Sequence, residues 1–94
     1  MTGKERAKLR SMANRLQPIF QVGKEGVGEA LLQQLSMALD ARELIKITVL
    51  ETADLSAREA CGVICEALGA EPVQCIGRKI TMYRRNEREP KLVL

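Results

Sequence analysis

Histidine and tryptophan are both absent from this chain of 94 residues. Without histidine the sequence has neither the commonest general base near neutral pH nor the commonest metal ligand. Aromatic rings are almost missing as well. Phe20 and Tyr83 are the only two, and Phe20 lies in a short apolar run expected in the core, so no stacking platform of several rings can be assembled. The cysteines are few and odd in number, Cys61, Cys65 and Cys75, with no paired framework of the kind that staples small secreted domains. A structural zinc site would need all three plus a carboxylate, an unusual set, so no metal and no cofactor are expected. Cys61 is read as a small core residue and Cys65 as partly exposed. No apolar run approaches the roughly 20 residues that span a bilayer. The first residues are charged, unlike a signal peptide. A soluble, cytoplasmic, non-catalytic protein without a small-molecule substrate is the expectation.

Charge is present in quantity but unevenly spread. Residues 1–24 carry Lys4, Arg6, Lys8, Arg10, Arg15 and Lys24 against Glu5 alone, a net +5. Residues 25–74 hold nine acidic and three basic side chains, a net −6, and residues 75–94 return to +4. If the two ends meet in the fold, they make a cationic surface suited to a polyanion.

Periodicity supplies the elements. Thr2 and Glu5 have the spacing of a capping box, and Leu9, Met12, Ala13 and Leu16 follow at the intervals of one buried helical face. That helix should stop near Leu16, because Pro18 disfavours helix at Gln17. Residues 18–22 read as a short strand, and a second helix is expected over Val27–Leu39. Glu43–Glu51 is the clearest strand, with Ile45, Ile47 and Val49 on one face. Ser56 and Glu59 make a second capping box before a helix that Gly69 ends. Val73–Ile76 and Ile80–Tyr83 form a hairpin around Gly77-Arg78-Lys79. The order α-β-α-β-α-β-β predicts an α/β domain with a mixed four-stranded sheet and three helices. Residues 1–86 are expected as a single domain and 87–94 as a flexible C-terminal tail.

The stretch Gly23-Lys24-Glu25-Gly26 joins a predicted strand to a predicted helix. Glycines let a phosphate approach the main chain closely, and helix-start amides would face it. A plain glycine turn is the competing reading of the same four residues. No Walker A or dinucleotide-binding pattern is present.

The run from Pro18 to Val27, the Glu43–Ile47 strand, Gly69-Ala70, and the ending from Ile76 to Tyr83-Arg84 together resemble the CRM domain family, in its stand-alone bacterial YhbY-like form. The resemblance covers about residues 3–86. It implies an RNA-binding domain whose G-x-x-G loop resembles that of KH domains, which clamp a nucleic-acid backbone. It also implies a fold similar to the C-terminal domain of translation initiation factor three. It implies, further, association with ribosomal RNA or the pre-ribosomal large subunit, in assembly of that subunit. Carried onto this chain, Gly23, Lys24 and Gly26 become candidate RNA contacts, with Lys4, Lys8, Arg15, Lys46, Arg78, Lys79, Arg84 and Arg85 as accessory cations. Lys46 could equally lie along a sheet edge, and the turn arginines could be solvated. Glu25 departs from the family pattern by placing an acid in the loop. With so few aromatics, grip on the phosphates and 2′-hydroxyls of folded RNA fits better than base stacking. The alternative is a protein-interaction module that reaches the ribosome through another protein by way of the acidic middle.

Overall fold

The computed structural model describes Met1–Leu94. Its elements are α1 (Gly3–Ala13), β1 (Phe20–Val22), α2 (Glu29–Arg42), β2 (Leu44–Val49), α3 (Ala57–Leu68), β3 (Glu71–Ile76) and β4 (Lys79–Tyr83). The expected order of elements is found. The strands form one mixed sheet in the order β1-β2-β4-β3. β1 runs parallel to β2, with Phe20 opposite Ile47, while β4 runs antiparallel to both β2 and β3.

Alternation along the strands sends one set of side chains to each face. Val22, Ile45, Ile47, Val49, Ile80 and Met82 face α2 and α3, where Leu35, Leu39, Ala60, Cys61, Ile64 and Cys65 complete the main core. Each fully buried Leu or Ile there contributes roughly 1.5–3 kcal/mol. The opposite face is only half covered. Leu44 and Tyr83 pack under Leu9 of α1, joined by Met12, Leu16, Leu92 and Leu94. Beyond α1 the sheet stays open.

Both expected capping boxes form. Thr2 accepts from the Glu5 amide while Glu5 accepts from the Thr2 amide, and Ser56 and Glu59 do the same at α3. Gly69 closes α3 in the left-handed conformation. Gly77, at φ +59, turns the hairpin that pairs Ile76 with Lys79.

Several boundaries move, each for a local reason. α1 ends at Ala13, and 3₁₀-type bonds from Arg15 to Met12 and from Leu16 to Ala13 carry the chain on to Leu16. α2 starts two residues later than expected because Gly28 is extended and serves as its N-cap, and it continues to Arg42. β3 begins at Glu71 and carries an irregularity between Pro72 and Gln74. Cys65 is buried rather than partly exposed, because α3 lies against the sheet along the whole stripe that contains both cysteines. Their sulfurs are 3.9 Å apart.

Residues 87–94 form no helix or strand, and part of the segment lies against the domain. The buried carboxylate of Glu43 accepts hydrogen bonds from the amides of Asn86, Lys91 and Leu92. Glu43 itself has φ +65, the one non-glycine residue with positive φ. No helix is long and apolar enough to cross a membrane.

Candidate nucleic-acid interface

The glycine loop leaves the sheet where β1 ends. The Leu50 amide donates to the Val22 carbonyl, and the Gly26 amide closes a turn onto the Gly23 carbonyl at 2.9 Å. The two glycines are not equivalent. Gly26 sits at φ +72, which side-chain-bearing residues rarely adopt. A Cβ on Gly23 would meet only Leu50, at an ordinary 3.6 Å.

The loop then reaches α2 through Gly28, an N-cap with no side chain to offer. The first amides of α2 therefore lack the side-chain acceptor that Thr2 and Ser56 supply to α1 and α3. An open hollow of about 310 Å³ lies over them, lined in part by Gln21, Gly23, Lys24, Gly26 and Gly28. Glu25 shares the lining, and Glu29 lies in the first helical turn. Exposed amides, the positive end of the helix dipole and the Lys24 ammonium make this hollow suited to an anion.

Sheet pairing brings further cations to the same end. Thr48 at the end of β2 lies opposite Lys79, and the Val49 amide donates to the Arg78 carbonyl. The Arg78 guanidinium donates to the carbonyls of Val49 and Leu50, which pins it beside the strand that abuts Gly23. On the sheet face away from α2 and α3, register puts Gln21, Thr48, Lys79 and Ile76 in one row and Lys46, Thr81 and Gln74 in the next, where Thr81 is buried and Gln74 bonds to Asn14 at the end of α1. Lys46 is half-buried there. None of the four ion pairs includes Lys24, Lys46, Arg78 or Lys79.

The remaining candidates lie elsewhere. Lys4 and Lys8 flank Leu94 at the α1 end, and the Lys8 ammonium donates to the Val93 carbonyl. Arg85 pairs with Glu87. Arg15 lies beside Arg42 and Leu44. Arg84 is held by the protein itself: its guanidinium donates to the Leu68 and Ser36 carbonyls, the Ser36 hydroxyl and the Asp40 carboxylate. The cations thus form two groups at opposite ends of the sheet, with the glycine loop in one of them.

Sequence reasoning passed over Gly28 and Gln21 beside the loop, and Arg42 at the far end of α2. Arg42 was readable as a cation recurring on the α2 face that carries Ala30, Leu31, Gln34 and Ala38. Gly28 carried no comparable signal, because its importance comes from what it lacks.

Three helices and a mixed four-stranded sheet, with an open glycine loop leading to a helix start that has no side-chain cap, define a small α/β domain. The chain belongs to the CRS1 / YhbY (CRM) domain family, whose model matches residues 1–84. It is 37% identical, over its whole length and 98% of the relative, to the probable RNA-binding protein YqeI of Bacillus subtilis. It is 30% identical, over its whole length and 94% of the relative, to an RNA-binding protein of Haemophilus influenzae. The solution structure of the hypothetical protein SAV1595 of Staphylococcus aureus superposes with a TM-score of 0.77 at 39% identity, covering 99% of each chain.

Proposed function

We propose that this protein binds folded ribosomal RNA by its sugar-phosphate backbone and, without catalysing a reaction, assists assembly of the large ribosomal subunit in the cytoplasm. Membership of a family with relatives named as RNA-binding proteins supports the RNA partner. The ribosomal target is the inference drawn from the family resemblance. The observation that carries the site is the contrast among the helix starts: α1 and α3 close theirs with capping boxes, while α2 leaves its own open beside Lys24. In this reading Gly26 bends the chain, the α2 amides and Lys24 hold a phosphate, and Arg78, Lys79 and Lys46 extend the grip over the sheet.

The test is affinity for large-subunit precursor RNA measured across a salt series. Log affinity should fall with log salt, and Lys24→Ala should reduce the slope by about one if that ammonium neutralises one phosphate. Salt-independent affinity would overturn the reading. So would charge reversal at Lys24, Arg78 and Lys79 that left association with ribosomal particles intact, which would point to recruitment through another protein.

A further inference from the structure

The hollow at the glycine loop continues along the molecule. α2 presents Ala30 and Leu31 to it, then Gln34, Met37, Ala38 and Arg42 to a second hollow of about 410 Å³. The facing wall also continues, from Gly23 and Gln21 back through Phe20 and Ile19. The two hollows have no lining residue in common but follow one another along the same two elements, α2 and the chain at the outer edge of β1, and together they outline one trough. At 1.5 Å per residue, the α2 wall from Ala30 to Arg42 is about 18 Å long.

Its chemistry changes along the way. The loop end is polar, whereas the middle is apolar, with Phe20 only partly buried and Met37 70% exposed. No carboxylate lines the second hollow. Arg42 closes its far end and also lines the neighbouring hollow that holds Arg15. β1 is an edge strand. The Val22 carbonyl accepts inward from the Leu50 amide, so by strand alternation the peptide groups of Gln21 face the open side. An apolar wall beside free backbone donors and acceptors, with a cation at each end, is complementary to a short strand whose phosphates are anionic and whose bases have flat apolar faces and polar edges.

We propose that this trough seats two or three unpaired bases of the same RNA strand whose phosphate the glycine loop holds. The inference rests on the phosphate-binding reading of that loop. It narrows the ligand to a loop or bulge within folded RNA, because paired bases cannot turn their faces to Phe20 and Met37. One half-open ring with a methionine opposite is a narrower device than an aromatic platform, and it stands where the sequence suggested that base contact was out of reach.

The experiment uses the full chain and three RNA probes: a hairpin with a five-uridine loop, the same hairpin with two loop bases made abasic, and a continuous duplex of equal phosphate number. Two abasic sites should cost about tenfold or more in affinity, and the duplex should bind no better than the abasic hairpin. Met37→Ala, at a side chain too exposed to affect folding, should shrink the abasic penalty and leave the salt slope unchanged. Equal affinity for intact and abasic loops, with the salt slope retained, would overturn the trough but leave the phosphate grip standing. Salt-independent binding, or none to any probe, would remove the reading of the loop and the trough with it.

Discussion

Glu43→Gln tests whether the C-terminal segment is held by one buried carboxylate. In the wild type, Glu43 Oε2 accepts from the Asn86 amide at 2.6 Å, and Oε1 accepts from Leu92 at 2.7 Å and from Lys91. Burial pushes this carboxyl upward, but the three amide bonds and the nearby Arg85 charge outweigh it and hold the group below the ordinary carboxylate value. Glutamine keeps the shape and one acceptor. It removes the charge and turns an NH₂ group toward a backbone donor. Hydrogen bonds to a charged group contribute about 1.5–3 kcal/mol each, and neutral ones about half that. Losing one and weakening two therefore costs roughly 3–6 kcal/mol if the segment stays docked. That is a large part of the roughly 5–14 kcal/mol expected for a domain of this size.

The segment has an escape, which caps the cost. All three donors lie at residues 86–92, so they can detach together and bond to water while the sheet survives. The expected result is a melting temperature lower by roughly 10–20 °C, with the amides of Asn86, Lys91 and Leu92 exchanging far faster than those of β2 and β4. The acid limb should change too. A depressed folded pKa means that the Glu43 contribution is present above the unfolded carboxylate value and is lost as pH falls through the folded one. Stability of the wild type should therefore decline below about pH 4.5 more steeply than that of Glu43→Gln. An unchanged melt together with unchanged exchange at those three amides would refute the reasoning.

Two further substitutions address the glycine loop. Gly26→Ala forces a Cβ into φ +72 and should cost roughly 1–2 kcal/mol, whereas Gly23→Ala should be close to neutral for stability; equal costs in denaturant unfolding would contradict the geometry. Gly28→Asp should act in opposite directions. A capping carboxylate should stabilise the domain by a few tenths to about 1 kcal/mol, while it fills the anion site and lowers RNA affinity severalfold. A variant that is more stable and binds equally well would show that the open α2 amides are not the contact.

What could be read before the structure was whatever local chemistry decides. The Thr2/Glu5 and Ser56/Glu59 boxes, the Gly69 stop and the hairpin at Gly77 each involve residues a few positions apart, and each was found where the sequence put it. What escaped depends on distant partners. Nothing near Glu43 says that its carboxylate will meet amides 43 to 49 residues away, and nothing near Arg84 names Ser36, Asp40 and Leu68 as its acceptors. Both look like surface charges in the sequence, yet both are internal fastenings. The trough was hidden for a related reason. Phe20 was assigned wholly to the core because its run is apolar, but an edge strand leaves part of such a side chain uncovered.

Topology, more than proximity in sequence, assembles the candidate interface. A parallel β1–α2–β2 crossover must set the start of α2 at the carboxyl end of β1, and the antiparallel pairing of β2 with β4 then delivers the Gly77-Arg78 turn to that same end. Lys24 and Lys79 thereby share one end of the sheet although most of the chain separates them. Meanwhile the polar groups that stabilise the domain lie elsewhere: the capping boxes at α1 and α3, Glu43 under the C-terminal segment, and Arg84 between α2 and the end of α3. The fold needs no side chain to satisfy the α2 amides, because the solvent beside an open loop can do so. A phosphate arriving there displaces water rather than a protein partner, so the α2 amides can bind it without breaking any hydrogen bond within the domain.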